Sequence, residues 1–240
     1  MANPELLIRE GKLEEALSAL SAILRDNPSD LRRRATLFEA LAFAGEYERA
    51  AKHLTILGEG NQDTMMGALL YHGALHAEHL RREMFEKETY PGPLADDASK
   101  ITGSINGRPF TELTDADPRL GARLEVFGAG DYFWIPFIQV QSIEMQPPAR
   151  FRDLLWIPAR VTTTAQFQRE LGEVLLPALT PLTFQHPDDA VRLGRLTEWC
   201  ADEQGRERPY GQKVLLADGE EIPMLEVRRL EIQTPAAGSS

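Results

Sequence analysis

The chain has 240 residues, 42% hydrophobic and 26% charged, ordinary globular values that exclude a wholly disordered or fibrous chain and suit one or two domains. Its 26 Lys+Arg against 37 Asp+Glu leave a formal charge of −11, and no basic run exceeds Arg32-Arg33-Arg34, so nucleic acid is not an expected partner. Cys200 is the single cysteine, which excludes an intrachain disulfide, and no apolar stretch nears the roughly 20 residues of a membrane helix. Met1-Ala2-Asn3-Pro4-Glu5 lacks the charged and apolar regions of a signal peptide, so a cytoplasmic protein without membrane insertion is expected.

The first 60 residues read as helices. Apolar residues recur at Leu13, Ala16, Leu17, Leu20, Ile23 and Leu24, one face of a 3.6-residue period, until Asn27-Pro28 ends the helix. A second periodic run passes through Leu31, Ala35, Phe38 and Leu41 and stops at Gly45. Gly11-x-Leu13-Glu14-x-Ala16 returns as Gly45-x-Tyr47-Glu48-x-Ala50, a spacing of 34 residues. That is the tetratricopeptide period, with glycine at the tight interhelical turn and a small alanine where paired helices approach. About one and a half repeats fit, because the first has no room for a full leading helix. A third helix is predicted from Asp63, as N-cap, to about Lys87, with Met65, Leu69, Gly73, His76, Leu80 and Met84 along one apolar seam. Tyr90-Pro91-Gly92-Pro93 breaks it, and with the polar run Asp96-Asp97-Ala98-Ser99-Lys100 marks a boundary.

Short β-rich runs follow: Phe110 to Leu113, Leu124 to Phe127, Tyr132 to Phe137, Ile138 to Met145, Leu154 to Val161, Val174 to Leu179, Val214 to Leu216 and Met224 to Ile232. Asp117-Pro118, Gly128-Ala129-Gly130, Pro147-Pro148 and Asp218-Gly219 separate them, the last being the clearest hairpin signal. Prolines 136, 158, 177 and 223 inside these runs imply edge strands or bulges. The alternating Val191 to Leu196 reads as strand. The predicted fold class is therefore α+β, with a tetratricopeptide-like helical module over 1–90, a linker over 91–104, a mainly β domain over 105–233, and a disordered tail over 234–240.

Candidate chemistry is sparse. His72, His76 and His79, with Glu83 beyond, project from one side of the third helix, so two or three could reach one metal. The competing reading places His76 in the apolar seam with an internal hydrogen bond, and it is preferred because no separate ligand segment or supporting carboxylate is identifiable. Asp115-x-Asp117 with Glu125 could form a calcium or general-acid pair, but Asp115 to Gly121 reads better as a strand-ending turn. Gly128-x-Gly130 lacks the following helix that a phosphate site needs, and Cys200 has no local activating pattern. Trp134, Trp156 and Trp199 read as core, and Arg152-Asp153 as a structural ion pair rather than a catalytic couple.

A stronger signal lies in blocks standing in a fixed order. They are Tyr71-His72-Gly73, Glu78-x2-Arg81-Arg82, Trp134 to Phe137, Arg152 to Ala159, Gly172 to Pro177, Leu193 to Trp199 and Gly211-Gln212-Lys213. Together they resemble the ImpE family, also called SciE or TagJ, an accessory component of bacterial type VI secretion systems, over roughly residues 5–232. The chain departs from the family pattern after Pro177, where Ala178-Leu179-Thr180 stands. The resemblance implies a cytoplasmic, non-enzymatic protein with a tetratricopeptide-like N-terminal part, no catalytic residues and no cofactor. It further implies binding of the small contractile-sheath subunit TssB and a link to the ClpV ATPase.

Three readings follow: an adaptor for a sheath helix, a metal protein or enzyme centred on the histidine helix, and an oligomeric scaffold built through the β domain. For the adaptor, the 34-residue register makes Leu31 open the second repeat. Its first helix then presents Arg32, Ala35, Glu39, Ala42 and Phe43 to the concave face, apolar contacts with charges at the rim.

Overall fold

The computed structural model describes residues 3–93, 100–168, 171–202 and 204–233. Among the described residues five helices precede the first strand, and tetratricopeptide-like helices are followed by a largely antiparallel β domain. A short leading helix α1 (Pro4–Arg9) is capped by the Asn3 side chain, which accepts from Glu5 N–H, and Pro4 opens it where a missing N–H leaves no bond unmade. The helices α2 (Leu13–Asp26), α3 (Leu31–Phe43) and α4 (Tyr47–Gly58) occupy the segments that the periodicity marks. Gly11 and Gly45 both take a left-handed φ, +81° and +72°, which is why the echo keeps glycine at those turns. Leu13, Ala16, Leu20, Leu41 and Ala50 are fully buried between the helices.

Helix α5 (Gln62–Glu86) departs from expectation at its start and along its face. Its cap is Asn61, not Asp63: the Asn61 side chain accepts from Thr64 N–H at 3.1 Å while the Thr64 hydroxyl accepts from Asn61 N–H at 2.8 Å. The side it buries carries Ala68, Tyr71, Leu75, Glu78, Arg81 and Phe85, whereas Met65, Leu69 and His76 of the expected seam are exposed. Small residues on the buried side let α5 approach its neighbours, and its two buried charges meet partners there, Arg81 on Glu125 and Glu78 on Trp156.

The strands are β1 (Thr102–Ile105), β2 (Arg108–Phe110), β3 (Leu113–Asp115), β4 (Arg123–Gly128), β5 (Asp131–Pro136), β6 (Val140–Met145), β7 (Trp156–Thr163) and β8 (Glu173–Pro177). After a helical turn α6 (Asp189–Arg192) come β9 (Thr197–Ala201), β10 (Glu207–Gly211), β11 (Val214–Ala217), β12 (Glu220–Pro223) and β13 (Arg229–Gln233). Eight of them form an antiparallel sheet in the order β2-β1-β13-β6-β7-β8-β4-β5, with β12-β11-β3 and the hairpin β10-β9 as smaller sheets. Pro136 lies on the edge strand β5, Pro223 ends the edge strand β12, and Pro158 stands one residue past the last β6 partner, Ala159. The Asp218-Gly219 turn joins β11 to β12 as expected, with both residues at positive φ.

Strand alternation gives the large sheet two apolar faces. Leu124, Val126, Ile157 and Leu176 pack in a core internal to the β part. Phe127, Trp156 and Leu175, their neighbours in sequence, join a core that continues through Phe38, Tyr71 and Leu75 of the helices. Helices and sheet therefore share one apolar cluster, although strand replaces helix between Glu86 and Thr102. Part of the expected linker (94–99) and the expected tail (234–240) lie outside the described residues.

Three further expectations are corrected. Val191 to Leu196 is not a strand: α6 is capped by the Asp188 side chain on Ala190 N–H, and Gly194 at φ +67° turns the chain out of it. Ile138 and Met224 begin no strand either, since short 3₁₀ turns (Phe137–Gln139 and Met224–Glu226) precede β6 and β13. Trp199 is 46% exposed rather than core, unlike Trp156, which is buried completely.

Candidate functional site: a groove and a buried ionic cluster between helices and sheet

The five expected binding residues lie along α3 where it passes under the β part, and the structure divides them. Phe43 is buried and stacks on Phe151 at 4.6 Å between ring centroids. Ala42 is buried beside it, and Glu39 accepts from Arg152 Nη1 at 2.7 Å. The lower end of the ridge is thus covered by the turn Phe151–Leu154 of the same chain. Toward the other end Ala35 is half-buried, and Arg32 stands in solvent within 3.5 Å of Glu5.

Between the covered and the open end lies a groove of about 480 Å³. Ile8, Phe151, Leu154, Leu193 and Leu225 supply apolar wall, and Glu5, Arg9, Glu39 and Arg195 supply charge. Its walls come from α1, α3, the Phe151–Leu154 turn and the loop after α6, so only the folded chain assembles it. Arg195 fastens α1 by donating to the backbone oxygens of Ile8 and Arg9 at 2.5 Å each. Arg152 is held twice, by Glu39 and by the Tyr71 ring 4.8 Å from its guanidinium, while Asp153 instead accepts from the backbone N–H groups of Ala149 and Arg150. Arg152 and Asp153 therefore serve different partners and are not the pair expected from their adjacency.

Behind the groove, a fully buried ionic cluster joins α5 to the sheet. Arg81 grips Glu125 with two bonds, Nε to Oε1 at 2.7 Å and Nη2 to Oε2 at 2.8 Å, and Nη2 also donates to the Leu179 carbonyl at 2.8 Å. Lys213 donates to Glu125 as well and to Asp115 at 2.9 Å, and Tyr132 O–H donates to Glu125 at 2.6 Å. Glu78, 3.6 Å from Arg81, accepts from Trp156 Nε1 at 3.0 Å. Two cations thus face three buried carboxylates, and one bound proton brings the group to neutrality. Burial pushes Asp115 up to about 6 against the pull of Lys213, and raises Glu78. Burial pushes Glu125 in the same direction, but the Arg81 and Lys213 charges outweigh it and hold it at about 2.

Asp115 and Asp117 do form the expected turn, Asp115 accepting from Asp117 N–H at 2.9 Å, while Asp117 holds Arg119 at 2.6 Å. A carboxylate displaced to about 6 beside a lysine also fits general acid–base work. Here both Asp115 oxygens are occupied, one by Asp117 N–H and one by Lys213, and burial is what raises it.

The histidine helix does not gather metal ligands. His76 is exposed, so it lies in no seam and needs no internal partner. His72 Nε2 lies 3.4 Å from the Thr55 hydroxyl, and His79 lies 3.7 Å from Glu83. Among the described residues, His186, Glu198 and Cys200 are the group of three whose ligand atoms lie within 4.8 Å of one another. Glu198 and Cys200 share a face of β9, 3.4 Å and 4.0 Å from His186 Nε2. Yet Asp188 N–H donates to His186 Nδ1 at 3.1 Å, which puts the ring proton on Nε2, the nitrogen a metal would need. The triad is built for hydrogen bonding rather than for metal. It is also the spatial pattern around Cys200 that no local spacing reveals.

A tetratricopeptide-like stack packed on an antiparallel β part, with a groove where they meet, defines a helical-repeat protein with an appended β domain. Residues 7–70 match a tetratricopeptide repeat family and residues 107–231 match the family described as ImpE protein. The chain is 33% identical to the type VI secretion system accessory component TagJ of Pseudomonas aeruginosa, over 95% of this chain and 90% of that protein. It belongs to the ImpE family. The crystal structure of protein VPA1032 from Vibrio parahaemolyticus has the same fold, with a TM-score of 0.81 and 20% identity over 98% of this chain and 99% of that one.

Proposed function

We propose that this chain is a non-enzymatic accessory component of a type VI secretion system that holds an amphipathic helix of the small contractile-sheath subunit, TssB-like, in the α1–α3 groove. By holding that helix it links the sheath to the ClpV ATPase. Kinship with TagJ supports the secretion role. The observation that carries the binding reading is the groove itself, an apolar wall of Ile8, Leu154, Leu193 and Leu225 with Glu5, Arg9 and Arg195 at its margins. A helix with aliphatic residues at i, i+3, i+4 and i+7 fills such a space, and the mixed rim charges set its direction. Of the α3 residues, Thr36 and Glu39 line the groove, Glu39 held there by Arg152, while Arg32 stands beside its Glu5 margin and Ala35 is the half-buried neighbour of Thr36. Phe43 backs the groove by stacking on its wall residue Phe151, and Ala42 is buried next to it in sequence.

Isothermal titration of the full chain with a synthetic helix of the sheath subunit tests the reading. Arg32→Glu and Thr36→Trp alter the open part of the ridge without touching the core, and each should weaken binding by at least about tenfold. Undiminished affinity in both variants, with unchanged circular dichroism, would place the helix elsewhere.

A further inference from the structure

The helical stack stops in the middle of a repeat. In the 34-residue register α3 and α4 form one pair and α5 opens the next, but among the described residues no second helix follows α5 before the sheet begins. Solenoid ends ordinarily carry a polar outer face, because a repeat buries its apolar side only against its neighbour. Here Met65, Met66, Leu69 and Leu70 are 58%, 62%, 74% and 52% exposed. The bare face is bounded farther along α5, where the β4–β5 turn presses on the helix: a Cβ on Gly73 would lie 3.1 Å from Gly130 Cα. An apolar patch of this kind marks an interaction surface.

Charge says what covers it. From Thr64 to Ala77 the helix has no Asp, Glu, Lys or Arg, about four turns in a chain that is 26% charged. Within this stretch a partner attracted by charge finds no Asp, Glu, Lys or Arg of α5 to pair with. A second copy, carrying the same −11, is repelled over most of its surface and least where charge is missing.

We propose that this face is the self-complementary contact of a dimer. Two copies lay the N-terminal halves of α5 antiparallel across a two-fold axis, so that each supplies the helix the other's unfinished repeat lacks. The four side chains leave on the order of 500 Å² uncovered per copy, so pairing hides on the order of 1,000 Å², the lower limit of a specific interface and the size of a weak, reversible one. Met65 and Met66, unbranched and adaptable, suit a contact in which identical surfaces must interdigitate.

Sedimentation velocity of the full chain from about 1 to about 200 µM tests this, because a weak dimer follows mass action. The expected result is a concentration-dependent rise from the 26.9 kDa monomer to twice that mass. Met66→Glu with Leu69→Glu, both exposed, should weaken self-association by at least about tenfold while circular dichroism and the thermal midpoint stay unchanged. Arg32→Glu, beside the Glu5 margin of the groove, should leave the dimer intact, which separates this contact from the proposed helix site. A wild-type chain that stays monomeric over the whole range would overturn the proposal. So would a double variant that dimerises as the wild type does. A monomeric wild type whose binding of the sheath helix is abolished by Leu69→Glu would assign the face to a foreign helix instead.

Discussion

Arg81→Ala should be among the most damaging single substitutions in the helical part, because it strips a buried carboxylate of its main partner. The side chain is 5% exposed and Glu125 0%. Truncation removes two charged bonds to Glu125 and one to the Leu179 carbonyl, which joins the segment after β8 to α5. Lys213 stays beside Glu125 but is shared with Asp115, so one cation must then serve two carboxylates and Glu78 loses its neighbour. Removing one partner of a buried pair costs about 3–5 kcal/mol, a large share of the roughly 5–15 kcal/mol that stabilises a typical fold. For a chain of this length that lowers the thermal midpoint by roughly 10 °C. Urea unfolding followed by tryptophan fluorescence reads it directly, since Trp134 donates to Tyr132, which donates to Glu125. Arg81→Met combined with Glu125→Gln should cost less than the sum of the single changes, because no unpaired charge remains between them. A loss under about 1 kcal/mol for Arg81→Ala would mean that the cluster is hydrated and contributes little, and would refute the reasoning.

The same cluster sets a pH signature. Asp115, at about 6 against 3.8 when unfolded, binds its proton more tightly in the native state, so its share of stability is fully present below 3.8 and declines by up to about 3 kcal/mol as pH rises through 6. Glu125, at about 2 against 4.5, acts oppositely, its share present above 4.5 and lost as pH falls toward 2. The difference in urea stability between wild type and Asp115→Asn should therefore shift against the wild type from pH 4 to pH 7, and parallel curves would contradict the assignment. Phe43→Glu buries a charge against Phe151 and should lower stability by more than about 4 kcal/mol, read as loss of near-ultraviolet circular dichroism, rather than silencing binding in a folded protein. Gly11→Ala pays for its left-handed φ with about 1–2 kcal/mol, its nearest new neighbours being 3.8 Å away. Gly45→Ala should cost distinctly more in the same unfolding assay, because its Cβ runs into the Phe184 ring.

Periodicity by itself determined where the helices of the first part lie, since an amphipathic run, its breaking proline and its turn glycines act locally. The 34-residue echo and the Asp218-Gly219 hairpin were legible for the same reason, as both depend on backbone conformations that few residues adopt. What covers each face was decided by tertiary structure. The Met65–Leu69–His76 line of α5 is apolar enough to read as core yet faces outward, while the side bearing Glu78 and Arg81 turns inward. Periodicity counts apolar residues, but a buried charge is tolerable only when its partner arrives from elsewhere, and Glu125 and Lys213 come from the sheet. Arg81 and Glu125 are 44 residues apart, Glu125 and Lys213 a further 88, so no local spacing announces their meeting. Phe43 belongs to the same lesson: its place on the α3 ridge follows from helical geometry, but only the arrival of Phe151 turned that end of the ridge from surface into core.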